Sequence, residues 1–236
     1  MNLSVNKKTA RLAGFLYLIV VVTGLFSLAY VPSKLIVWTD ATATFQNIAA
    51  SETLFRMSLV SSALCYLAFL LLPFVLYFLL CSVNERAAKL MIVLVVVSVA
   101  ISMLNLQNKY AVLTLINGAD HLKIFSSQQI SSQMMMLLEN YDHGILIVQI
   151  FWGLWLLPFG FLVYKSGFLP RILGVLLMLG CFGYLISFFG NTMMPDYGET
   201  VIARFARMPA AFGEIGTCLW LLIRGIKNNS QILTVK

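Results

Sequence analysis

MSLVSSALCYLAFLLLPFVLYFLLC runs from Met57 to Cys81 without a charged side chain. A helix rises about 1.5 Å per residue, so roughly 20 residues cross a hydrocarbon core of about 30 Å, and this stretch is long enough to do so. Working outward, further apolar runs extend from Leu12 to Val31, Leu90 to Asn108, Gly144 to Tyr164 and Ile172 to Met194. A shorter one from Met208 to Ile223 carries Glu214. Backbone facing lipid must satisfy its hydrogen bonds internally, and the alternation and regular turns of a membrane barrel are absent. The pattern predicts an all-α polytopic transmembrane bundle of about six spans, at 12–31, 57–81, 90–108, 144–164, 172–194 and 208–223, forming a single integral membrane domain over residues 1–236.

Composition agrees, because 60% hydrophobic against 11% charged residues leaves too few charges to cover a soluble globule of 236 residues. The first run offers no small-x-small cleavage site after Tyr30 and is expected to remain as a span. With both termini cytoplasmic, Lys7, Lys8, Arg11, Arg86, Lys89, Lys165, Arg171, Arg224, Lys227 and Lys236 fall inside, ten of the 16 basic residues. Lys34, Arg56, Lys109, Lys123, Arg204 and Arg207 then face outward or lie near the outer interface. The net charge of +7 therefore reads as topology and attraction to anionic head groups of membrane lipids, and gives no sign of nucleic-acid binding.

Cys65, Cys81, Cys181 and Cys218 lie inside predicted spans at spacings that fit neither a metal motif nor a disulfide framework. The two histidines, His121 and His143, do not make a haem pair, since His121 falls in a loop. Neither a metal nor another cofactor is expected. Copper at Met134-Met135-Met136 is disfavoured, because adjacent residues on a helix point in different directions.

The connections at Ser82–Lys89 and Lys165–Arg171 are short, and those at 32–55, 117–143 and 195–207 are long. Phe45, Ile48 and Ala49, and Ile130, Met134, Leu137 and Leu138, recur at helical spacing and are expected in amphipathic helices on the outer face. Ser126 to Gln133 reads as a flexible linker before one of them.

Charges inside spans are the informative residues, since each costs about 2.5–3.5 kcal/mol on insertion scales. Glu214 falls ~9 Å into the sixth helix, counting from Met208. Arg56, Asn105, Asn108, Lys109, Gln149 and Asn191 fall at a similar depth, with His143 heading the fourth span. Together they predict an outward-facing polar cavity that holds a small molecule or lipid, Arg56 or Lys109 being the leading partners of Glu214. Against this stands a structural reading in which the same groups pair and tie helices together. An intramembrane enzyme using Glu214 and His143 is the alternative, but no Gly-x-Ser-x-Gly turn, His-Glu-x-x-His helix or phosphate-cradling loop is present.

Glycines suit close helix contacts. Ala10, Gly14, Tyr17 and Gly24 lie near one face, Gly183 and Ser187 stack with Asn191, and Gly213 and Gly216 flank Glu214. Pro73 and Pro158 interrupt two middle helices. The opening Ala10-Arg11-x-x-Gly14-x-x-Tyr17-Leu18, then Phe55-Arg56, Gly153-Leu154, Tyr164-Lys165-Ser166-Gly167-Phe168-Leu169-Pro170-Arg171, Gly174-Val175-Leu176-Leu177, Glu214 and Trp220-Leu221-Leu222 follow a pattern over nearly the whole chain. It resembles an uncharacterised group of bacterial membrane proteins, domain-of-unknown-function family 4386. The resemblance implies a six-helix bundle in the bacterial cytoplasmic membrane and supplies no activity. Trp155 departs from it, standing where a more polar residue is expected. Oligomeric state is not legible.

The charge distribution makes a direct expectation. A phosphatase reporter fused within 117–143 is active and one fused after Lys227 is inactive; the opposite pattern, or an odd number of crossings, refutes the arrangement.

Overall fold

A computed structural model describes residues 7–118, 122 and 124–226. His121, Lys123, Lys227 and Lys236, which entered the charge and haem arguments, lie outside the described residues. Every regular element among them is helical: α1 Lys7–Leu25, a wide turn Phe26–Tyr30, α2 Val31–Leu35, α3 Ala41–Ala50, α4 Glu52–Leu80, α5 Glu85–Ile116, α6 Ser127–Ser166, α7 Arg171–Met193, a tight turn Tyr197–Glu199, α8 Val201–Ala206 and α9 Met208–Ile223. Among the described residues, five stretches are long and apolar enough to cross a membrane: Lys7–Leu35, Glu52–Leu80, Glu85–Ile116, Ser127–Ser166 and Arg171–Met193. The chain is thus a polytopic helical membrane protein. α9 has 16 residues and, at ~24 Å, is shorter than a typical hydrocarbon core.

Local chemistry sets the helix starts. The carboxylate of Asp40 accepts from Ala43 N at 2.9 Å at the head of α3, and Asn84 Oδ1 accepts from Ala87 N at 2.9 Å at the head of α5. The segment expected as a linker, Ser126 to Gln133, is instead the first part of α6. Gln129 N donates to Ser126 Oγ at 3.3 Å while Ser126 N donates to Gln129 Oε1 at 2.8 Å. This reciprocal capping box nucleates the helix, so Ile130, Met134, Leu137 and Leu138 belong to no separate surface helix. They lie on one continuous helix of 40 residues, ~60 Å long.

The chain divides into two compact units. The first holds the described residues within Met1–Leu18, Phe69–Val97 and Gln149–Lys236; the second holds Ile19–Ala68 and Ser98–Val148. The second has a core of its own, in which Val31, Leu35, Ile48, Phe55, Leu59, Val112, Met134 and Leu138 cluster. Ile48 and Met134 are fully enclosed, so the apolar stripes of α3 and the start of α6 are spent on protein contacts. Near the end of α1 the backbone widens: Val31 N bonds back to Phe26 O across five residues, just before Pro32. Proline has no N–H to continue the regular ladder, and the wide turn absorbs the mismatch.

The first unit is held by glycine contacts. α7 buries the stripe Gly174, Leu177, Gly180, Cys181, Gly183 and Ser187 and packs along α9. A Cβ on Gly180 would meet Ala210 Cα at 2.7 Å, one on Gly174 would meet Gly160 O at 2.7 Å, and one on Gly14 would meet Leu222 N at 2.5 Å. Helices approach this closely only where side chains are absent. An aromatic cluster lies beside them. Trp155 stacks on Phe159 at 5.0 Å and meets the edge of Phe69 at 5.1 Å, with the Tyr17 ring 6.2 Å away. Trp155 is therefore a core anchor.

Two substitutions separate packing from propensity. Gly14→Ala drives a methyl group into the α9 backbone and is expected to destabilise the fold by about 1–3 kcal/mol. Gly24→Ala meets only Cys65 Sγ at 3.5 Å and should be neutral or mildly stabilising, because alanine favours helix. Thermal unfolding of both variants in detergent checks the sign of each change.

Candidate functional site

The polar groups singled out from the sequence fall into separate sets of contacts. Glu214 is half-buried on α9. Gly213 lets α9 approach α7 at Leu176 and Leu177, and a Cβ on Gly216 would strike the Leu173 side chain, so the two glycines flank the carboxyl as helix contacts. The phenols of Tyr17 on α1 and Tyr184 on α7 face that carboxyl. Tyr17 is fully enclosed, and its hydroxyl stands near Glu214 without closing a hydrogen bond. Arg207, exposed just before α9, acts through space on Tyr184. Thr217 Oγ1 and Trp220 Nε1, farther along α9, are also buried without hydrogen-bond partners among the described residues.

The expected cationic partners of Glu214 have other contacts in the second unit. Arg56 pairs with Glu52 one turn earlier at 2.6 Å and reaches Asn117 Oδ1 at 3.5 Å. Lys109 is enclosed within that unit, donating to the Ser27 carbonyl at 3.4 Å, with its ammonium 4.3 Å from the Tyr141 ring centroid. Asn105 and Asn108 belong to the same set. Asn105 Nδ2 donates to Tyr141 O at 2.8 Å, and Asn108 Nδ2 donates to Asn105 Oδ1 at 3.0 Å. A Cβ on Gly144 would overlap the Asn105 amide, so this glycine lets the amide lie against α6.

Asn191 is exposed and its amide donates to its own helix, to Ser187 O at 2.7 Å. His143 is exposed on α6, and Gln149 is half-buried on the same helix. The two ion pairs among the described residues, Arg56–Glu52 and Lys89–Glu85, each join residues four apart on one helix. Among those residues no three His, Cys, Asp or Glu side chains gather to hold a metal ion.

Tyr17, Tyr184, Tyr66 and Tyr141 escaped the sequence reading as polar groups. Their rings follow the apolar stripe, and one helix gives no signal of which phenol a neighbour will orient toward a charge. Tyr17 sits inside the opening motif, where its spacing from Gly14 reads as packing.

In the first unit the Glu214 carboxyl faces two phenols, and a match from residue 12 to residue 225 fits the family model described as "Domain of unknown function (DUF4386)". The chain belongs to the DUF4386 family. The match runs from within α1 to just beyond α9, so Glu214 and Lys109 both lie inside it. The chain is also similar to an "Uncharacterized protein" of Archaeoglobus fulgidus, at 36% identity over 85 residues. That similarity covers 36% of this chain, and the chain spans about half the length of that relative, 48%. No solved structure matches.

The two kinds of polar contact differ in energetic weight. Arg56→Ala removes an exposed pair and is expected to change stability by less than about 1 kcal/mol. Asn105→Ala strips a buried bond to the Tyr141 carbonyl and leaves the Asn108 amide only its longer bond to the residue-105 carbonyl, 3.3 Å, so its loss should exceed that of Arg56→Ala and reach about 1–3 kcal/mol. Unfolding midpoints of the two purified variants, compared with the parent, give the order.

Proposed function

We propose that this DUF4386 protein binds, senses or transports a small molecule or lipid at a polar site centred on Glu214, in the bacterial cytoplasmic membrane with both termini in the cytoplasm. One observation carries the reading: within an apolar helix, the Glu214 carboxyl faces two phenols and no ion pair with it occurs among the described residues. A structural carboxylate in this setting is normally joined to a cation, because an uncompensated charge is expensive in lipid. Phenols donate to a carboxylate, accept from a protonated carboxyl, and leave room for an exchangeable partner such as a proton or the amine or hydroxyl of a ligand. The glycines on either side keep α7 close, so the carboxyl is presented from a rigid backbone. An enzymatic reading would need Glu214 and His143 in mutual reach, one as acid and the other as base.

The test is Glu214→Gln. No paired cation is left behind, so the melting temperature in detergent is expected to stay level or rise, while complementation of a deletion strain is lost. A variant that loses stability but still complements makes the group structural. A variant normal in both measurements removes Glu214 from the function altogether.

A further inference from the structure

The second unit carries a buried charge of opposite sign to Glu214. Lys109 is 3% exposed. Its ammonium has three donors, yet its hydrogen bond to the Ser27 carbonyl is 3.4 Å, at the long limit for such bonds, and the other close group is the face of Tyr141. Neither ion pair among the described residues includes it. A carbonyl and a ring are neutral, so the buried cation lacks the counter-charge that normally offsets its desolvation.

The surrounding hydroxyls are short of acceptors as well. Ser27 Oγ and Ser62 Oγ are buried and close no hydrogen bond among the described residues. Ser62 stands beside the Tyr141 hydroxyl, which lies 3.4 Å from that of Tyr66. The backbone frame is fixed independently of the lysine. The Ser27 carbonyl belongs to the wide turn Phe26–Tyr30, and Asn105 ties α5 to the Tyr141 carbonyl at 2.8 Å. Ser27, whose carbonyl meets the ammonium, and Ser62, which neighbours the Tyr141 ring under it, thus each carry an unbonded hydroxyl beside a buried positive charge, a set complementary to a compact negative charge.

We propose that this cluster is a binding site for a single anionic group, with Lys109 supplying the charge and the Ser27 and Ser62 hydroxyls the neutral donors. The group is either the carboxylate head of a single-chain amphiphile drawn from the bilayer or a free inorganic anion. The site is distinct in residues and in sign from the one around Glu214 and does not depend on it.

Melting temperatures of the full chain in nonionic detergent, titrated with laurate, dodecanol or inorganic phosphate, test the assignment. Laurate or phosphate should raise the midpoint of the parent protein and dodecanol should not. A response to laurate alone assigns the amphiphile, and a response to phosphate assigns the free anion. Lys109→Met, which exchanges the ammonium for an apolar chain, should be at least as stable as the parent without anion and bind roughly thirtyfold or more weakly. Ser62→Ala removes a buried hydroxyl beside that of Tyr141 and should bind more weakly with little change in stability. The proposal is overturned by an equal response to dodecanol, by no response to either anion, or by unchanged affinity in both variants. It is also overturned if Lys109→Met loses stability or fails to fold without anion, since the lysine is then a structural tie.

Discussion

Backbone contact at glycine is the constraint on which the first unit rests. Lipid chains are as apolar as leucine, so burying leucine between helices gains little inside a membrane, and association depends on close van der Waals fit. Gly14 against Leu222, Gly160 against Gly174 and Gly180 against Ala210 supply that fit. Each pair brings two backbones within a distance that a single methyl group would prevent. The placement of Glu214 follows, because α9 is held against α7 at Gly213 and against α1 at Leu222, and those two neighbours contribute Tyr184 and Tyr17.

The second unit is built on a different principle. Its residues Ile48, Phe55, Val112, Met134 and Leu138 form a cluster of large side chains, as in a small globular core, and α5 and α6 exceed the length a hydrocarbon core requires. Such a core can enclose polar groups at fixed positions. Ser58, Ser62, Ser98, Ser102, Asn105 and Lys109 are all buried there. Several are spent on the backbone of their own or a neighbouring helix, as when Ser102 Oγ donates to Ser98 O at 2.8 Å. Lys109 is the member whose charge exceeds what its neighbours return.

Much of the fold was legible in the residues. The five long apolar runs matched helices, since backbone hydrogen bonding in lipid leaves little alternative, and Gly183, Ser187 and Gly213 proved to be contact positions as their spacing implied. The start of α6 was misread because serine and glutamine are polar and common in linkers. The decisive signal was the Ser126-x-x-Gln129 spacing, a capping box that composition conceals. Expensive residues were equally legible as single positions, and both Glu214 and Lys109 stood out by charge alone.

Sequence by itself thus determined the class, the approximate helices and the residues whose placement in an apolar span demands an explanation, because each follows from transfer energy along one helix. Tertiary structure alone decided who meets whom. Glu214 faces Tyr17 and Tyr184, Arg56 pairs with Glu52 on its own helix, and Lys109 turns to Ser27 and Tyr141. Partner choice depends on the rotation of each helix about its axis and on how closely its glycines let a neighbour approach. Those quantities are fixed by contacts between segments more than a hundred residues apart, such as Gly14 with Leu222, and no local pattern encodes them.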